Sequence, residues 1–282
     1  MAALLGLVAG LLAGRLAWLL LRRTMNQPLF LRPNHRGVQV PTACGIVLPI
    51  AAIVVETGRT LLGAAGLGDS ASASAPRLGV LVVALGLGLV GLLDDLIGTG
   101  QRRGFRGHVG ELVRGRLTTG GAKLVVGSVV AVVAVATVRP SARTSLRQLL
   151  ADAALVAMAA NLGNLLDRAP GRVAKAGLGS YALLVIVTGF SAALSAVGTV
   201  MGATLALFAD DLHERAMLGD TGANVLGGVL GIGVVATCAP ATRLVALAVI
   251  AALNVVSEVV SFSRVIDSVP PLRAADRAGR TR

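Results

Sequence analysis

The stretch Leu78-Gly79-Val80-Leu81-Val82-Val83-Ala84-Leu85-Gly86-Leu87-Gly88-Leu89-Val90-Gly91-Leu92-Leu93 carries no polar side chain and then ends in two adjacent carboxylates, Asp94 and Asp95. With its flanks the run covers 77–97, and about 20 apolar residues are what a helix needs to cross a bilayer. A charge costs roughly 2.5 to 3.5 kcal/mol at the centre of such a helix, less near its end, and is commonly kept for a site. The obvious counter-charge is a divalent cation. Asp oxygens with water and substrate phosphates are the usual surroundings of Mg²⁺, which then serves phosphoryl-group chemistry. Acids solvated just outside the membrane are the other reading, and an Asp-Asp pair alone does not choose between them.

Working outward, eight further apolar runs appear at 1–21, 43–63, 121–138, 147–166, 177–192, 193–209, 222–238 and 241–262. Of the 282 residues 55% are hydrophobic and 14% charged, with a mean hydropathy of +0.79, far from the profile of a soluble domain. The predicted fold is therefore all-α, a polytopic transmembrane bundle of about nine helices. Residues 1–263 form the membrane domain and 264–282 a basic cytoplasmic tail. Glycines such as Gly79, Gly86, Gly88 and Gly91 suit close helix packing in lipid better than a phosphate loop.

No basic residue precedes the first apolar run, whereas Arg22 and Arg23 follow it, so the run reads as a retained anchor with the N-terminus outside. Alternation then places 22–42, 94–121, 167–176, 210–221 and 263–282 in the cytoplasm, the C-terminus included. Nineteen of the 26 basic residues fall on that side, counting Lys123 at a loop edge, and six fall outside. The plasma membrane, crossed many times with a site facing the cytoplasm, is the implied location. A net charge of +12 spread over short loops, with almost no aromatics, argues against nucleic acid and for anionic headgroups or phosphorylated substrates.

The inside loops hold the candidate site. Asn34 and Arg36 precede Pro41-Thr42-Ala43-Cys44-Gly45, which opens the second run, and a helix N-terminus with cationic and amide neighbours favours anions; an ordinary basic loop is the alternative. Arg106 and Arg116 follow the acid pair in a Gly-rich loop, and Lys123 begins the fourth run behind Gly120-Gly121, so all three are candidate phosphate contacts. Asn161, Asn164 and Asp167 recur at a spacing of three along one face of the fifth run, as substrate contacts or as amides between helices. Asp220 opens the eighth run between Gly219 and Gly222. Acids from three separate helices on one face make a metal and phosphate site the better reading.

Four blocks, Pro41-Thr42-Ala43-Cys44-Gly45, Asp94-Asp95, Asn161-Leu162-Gly163-Asn164-Leu165-Leu166-Asp167 and Leu218-Gly219-Asp220-Thr221-Gly222-Ala223-Asn224, stand in an order that resembles the polyprenyl-phosphate N-acetylhexosamine-1-phosphate transferases. The resemblance implies that undecaprenyl phosphate attacks the β-phosphate of a UDP-amino sugar, with Mg²⁺ assisting and UMP released. It implies metal ligation by Asn164 and Asp220, orientation or deprotonation of the lipid phosphate by Asp94 and Asp95, and Asp167 in the same shell. It leaves room for a homodimer. The sequence departs from the family pattern at Gly98, where some members carry a lysine, at Pro170, where an acid linked to the nucleotide is usual, and at Pro270-Pro271-Leu272-Arg273, where a His-rich loop is usual. A non-catalytic relative that binds a polyprenyl-phosphate carrier or a cell-wall enzyme is the alternative. A transporter fits less well, because coupling ions bind near the midplane; Asp152 and Glu258 are the in-membrane carboxylates read as able to serve it.

Overall fold

The computed structural model describes residues 2–34, 36–67, 74–98, 119–139 and 144–280. Among them are eleven α-helices: α1 Ala2–Met25, α2 Val47–Ala64, α3 Ala75–Ile97, α4 Thr119–Val138, α5 Leu146–Leu166, α6 Arg172–Thr188, α7 Ser195–Leu212, α8 Gly219–Thr237, α9 Pro240–Ser257, α10 Phe262–Ser268 and α11 Pro270–Arg277. Seven helices, α1, α2, α3, α5, α7, α8 and α9, some extended by a 3₁₀ turn, are long and apolar enough to cross a membrane. The apolar part of α4, Lys123–Val138, is shorter. The nine apolar runs thus all become helices in an all-α bundle. A small antiparallel hairpin, β1 Leu31–Pro33 with β2 Gln39–Pro41, pairs Arg32 with Val40 at one end of it.

Helix α8 is the axis of the bundle, packed against α3, α5, α6 and α7, and most of it is buried. Helix α9 stands at the opposite extreme, only 6% buried, with Leu244, Val245, Val249 and Val255 turned outward as a lipid-facing helix requires.

With lipid as apolar as Leu, helices gain from close backbone approach rather than from hiding apolar area. Helix α1 shows this along Gly6, Gly10 and Gly14, which lie on the backbones of Ser195, Thr199 and Ala203 of α7. A Cβ on Gly10 would overlap the Thr199 carbonyl. Gly10→Leu is therefore expected to destabilise the bundle by about 1–3 kcal/mol, the usual cost of overpacking, read as a fall in melting temperature in detergent; Leu12→Ala, on the exposed face of α1, is the neutral control.

At the end of the bundle where α2 finishes and α3 begins, charges are buried in pairs. Glu56 accepts from Arg77 Nε at 2.7 Å and from Arg59 at 2.7 Å, and Arg243 pairs with Asp152. Isolated charges here would be far costlier than paired ones. The structure thus pairs Asp152, read above as an in-membrane carboxylate, with Arg243 of α9. It also adds Glu56, an in-membrane acid that the sequence reading overlooked.

Candidate functional site

The site is built on the first turn of α8. Gly219 takes φ +68° and delivers Asp220 to the start of the helix. A helix start leaves backbone N–H groups without intrahelical partners, and here they are met from another helix. Asp95 of α3 accepts Asp220 N at 3.0 Å through Oδ1, and Thr221 N at 3.0 Å and Thr221 Oγ1 at 2.6 Å through Oδ2. Asp95 is in effect the cap of α8, its charge placed where the helix dipole favours an anion. This close fit needs Gly91, one turn earlier on α3, because a Cβ there would overlap the Asp220 carbonyl.

Asp94 points to a different partner. The Lys123 ammonium, near the start of α4, lies 3.3 Å from Asp94 Oδ2 and also contacts Asp220 Oδ2. With the Asn164 amide in the orientation that satisfies its neighbours, its nitrogen donates to Asp220 Oδ1 at 2.5 Å and its oxygen accepts from Lys123 Nζ at 3.1 Å. Groups from α3, α5 and α8 thus converge on one cationic nitrogen supplied by α4.

Asp167 lies just past the end of α5 and is half-buried. Burial, followed by the negative charges of Asp211, Asp220 and Asp95, raises its carboxyl well above the usual carboxylate range, against the weaker pull of Arg168. Asp211, at the end of α7, is buried and accepts Gly171 N at 3.0 Å, tying the turn after α5 to the same cluster.

The structure therefore brings together Asp94, Asp95, Asn164, Asp167, Asp220 and Lys123. Other expected contacts have different partners. Asn161 Nδ2 donates to Asn254 Oδ1 at 2.6 Å, an amide tie between α5 and α9. Asn34 donates to Glu214 at 2.7 Å and Arg36 pairs with it at 3.1 Å, contacts that fasten the hairpin to the α7–α8 loop. That loop is further held by Met217 N to Pro41 O at 2.8 Å and Gly45 N to Leu218 O at 3.0 Å. Arg106 and Arg116 lie outside the described residues.

Three participants escaped the sequence reading. Thr221 was quoted within its block but given no role, and its hydroxyl beside Asp220 was the available signal. Arg32 donates to the carbonyls of Asp95 at 3.3 Å and Leu96 at 3.0 Å, closing the end of α3 as a cation at a helix C-terminus does. Asp211 is the third. Neither Arg32 nor Asp211 announces its partner by spacing.

The segment expected as a basic tail is instead two short helices docked beside the site. Arg172, opening α6, forms a fork on Asp276 at 2.8 and 3.0 Å, and Lys175 donates to the carbonyls of Ala275, Asp276 and Ala278 at the end of α11. Arg280 Nε donates to Pro170 O at 2.9 Å. Burial pushes the Asp276 carboxyl up, but the Arg172 fork and then Arg280 outweigh it and hold the carboxyl below its ordinary value. Its contribution to docking is present in full above the ordinary carboxylate pKa of about 3.9 and is lost as the pH falls through the lower folded value. Asp276→Asn at neutral pH is expected to weaken docking by about 1–3 kcal/mol, seen as faster amide hydrogen exchange across 270–278 with α8 unchanged.

No family model and no curated protein matches the chain. The chemistry must accordingly be read from the site itself. Among the described residues no group of three or more His, Cys, Asp and Glu side chains is arranged to hold a metal ion. The set around Lys123 is two carboxylates and an amide oxygen, all hard donors, and Mg²⁺ typically takes one or two carboxylates and completes its shell with water and phosphate oxygens. The ammonium held among them marks a place where these donors accept a cation. In chemical kind, though not as an assembled metal site, these donors would suit such an ion.

Proposed function

We propose that this chain is a membrane phosphoglycosyl transferase, moving a phospho-amino sugar from a UDP-sugar to polyprenyl phosphate with Mg²⁺, in cell-wall or surface-glycan synthesis. In this reading nine helices cross the plasma membrane with the N-terminus outside, and the acid cluster faces the cytoplasm. The observation that carries it is the convergence of Asp94, Asn164 and Asp220, from three helices, on the Lys123 ammonium. An apolar cavity of about 170 Å³ between α5, α6, α8 and α9 adds support. Its lining includes Gly163 and Leu166, one residue before and two after Asn164 in the chain, so an isoprenoid tail lying there would have its phosphate near the acids.

In the transfer a lipid-phosphate oxygen attacks the β-phosphorus of the donor, the bond from that phosphorus to the bridging oxygen breaks, and UMP leaves with the electron pair. Asp94 orients the incoming phosphate, and Lys123 offsets charge on its oxygens. Asp95 keeps the first turn of α8, and with it Asp220, in place. Asp167 belongs to the same cluster, its carboxyl raised by burial and by the neighbouring acids. Asp94, Asp220 and Asn164 would hold Mg²⁺, which when bound neutralises the diphosphate.

A second reading, a carrier-binding protein without transfer activity, draws on one observation. Pro170 stands where the resembling family has an acid linked to the nucleotide, and its carbonyl is already bonded by Arg280. Incubating the purified protein with polyprenyl phosphate, Mg²⁺ and a panel of nucleotide sugars separates the two. Release of nucleoside monophosphate supports transfer. Binding of polyprenyl phosphate with no release from any donor supports the carrier reading.

A further inference from the structure

Lys123 occupies the position that a divalent cation would need. Its ammonium lies within bonding distance of Asp94, Asp220 and Asn164 at once, and its side chain is only 17% exposed. Two neighbouring charges, Asp95 and Arg32, are committed elsewhere. Both oxygens of Asp95 are taken by the α8 terminus, and Arg32 is spent on the carbonyls ending α3. At contact range two carboxylates, Asp94 and Asp220, face one ammonium, with Asp95 and Asp167 as further acids of the cluster. A divalent ion added there would meet the ammonium at contact range, where like charges repel strongly at the effective dielectric of a protein edge.

We propose that Lys123 is a removable counter-ion: its ammonium and a divalent cation compete for the same three oxygens, and a phosphate monoester opens the site to metal by drawing the ammonium to itself. The inference rests on the reading of the cluster as a phosphate and metal site, and assigns how that site loads. Lysine suits the role because its charge is a point on a flexible four-carbon stem, and Lys123 is the fifth residue of α4, near the start of that helix. A phosphate dianion supplies a partner for the displaced ammonium and ligands for the metal. Metal and phosphate monoester must then bind cooperatively, each raising the affinity of the other by the same factor.

The test uses the full chain in detergent micelles, with Mn²⁺ as the metal, read by the loss of its free-ion electron paramagnetic resonance signal, and farnesyl phosphate as the monoester. K123M is expected to bind Mn²⁺ at least about tenfold more tightly than wild type, the order that removal of one unit charge at contact range supports. Farnesyl phosphate should tighten Mn²⁺ binding by wild type about tenfold and by K123M little. Adding Asp220→Asn to K123M should abolish the gained binding. Equal or weaker Mn²⁺ binding by K123M, equal enhancement by farnesyl phosphate in both proteins, or binding that survives Asp220→Asn would overturn the competition. Trp18, whose indole donates to Asp210 at 2.9 Å, supplies a fluorescence check that the variants keep the fold at this end of the bundle. Failure of the transferase reading appears separately, as no UMP release by wild type, and leaves the Mn²⁺ comparison standing.

Discussion

For the proposed transfer, Asp220→Ala is expected to abolish Mg²⁺-dependent UMP release, by at least about 10³-fold, while the protein still purifies as a folded membrane protein. The size follows from what is lost. Removing one preorganised group that stabilises developing charge typically costs about 10²–10³ in rate, and Asp220 serves Lys123 and Asn164 together. The fold should survive because Asp95 grips the backbone of residue 220, not its side chain, and both backbone contacts to α8 remain. Asp220→Asn preserves the shape and removes the charge, so a loss nearly as large identifies charge as the cause. Undiminished turnover by Asp220→Ala would remove the acid cluster from the mechanism.

Gly91→Val is expected to damage activity from outside the cluster. The added isopropyl group would have to occupy space now filled by the Asp220 carbonyl and the Thr221 backbone, which belong to the central helix and have little room to yield. Overpacking of this kind costs about 1–3 kcal/mol, and a shift of about 1 Å in a catalytic group can cost 10²-fold in rate. Gly86→Val, on the same helix, is the comparison. Its neighbour is the Val130 side chain rather than backbone, which can adjust, so a smaller loss of both stability and turnover is expected. Thermal melting in detergent and UMP release, measured on both variants, give the contrast; equal effects would mean that the α3–α8 contact does not position Asp220.

The two substitutions separate a group that acts from a group that allows close approach, and Asp94 and Asp95 divide along the same line. The sequence presents them as an undifferentiated pair. In the structure Asp95 has both oxygens on the α8 terminus, and Asp94 shares the ammonium. Asp95→Asn should therefore alter the placement of the site more than its charge.

By itself the sequence determined that the chain forms a bundle of apolar helices, because about 20 consecutive apolar residues admit few other uses and backbone polar groups in lipid must bond within their own helix. It also placed Asp94, Asn164, Asp167, Asp220 and Lys123 at helix ends of the same phase, since alternation of antiparallel helices is set by run lengths. Only the tertiary structure decided what each polar group meets. Asn161 and Asn164 have the same side chain one turn apart, yet one bonds across to Asn254 and the other joins Asp220 and Lys123. Asn34 and Arg36 fasten a loop through Glu214, and Arg172 holds down Asp276, because these partners lie roughly 100 or more residues away in the chain. Helical periodicity reports which residues share a face, but partner identity depends on the rotation and depth of two helices relative to each other. Here those are set by contacts such as Gly91 on Asp220 and Gly45 on Gly222, where the absence of a side chain lets backbones meet.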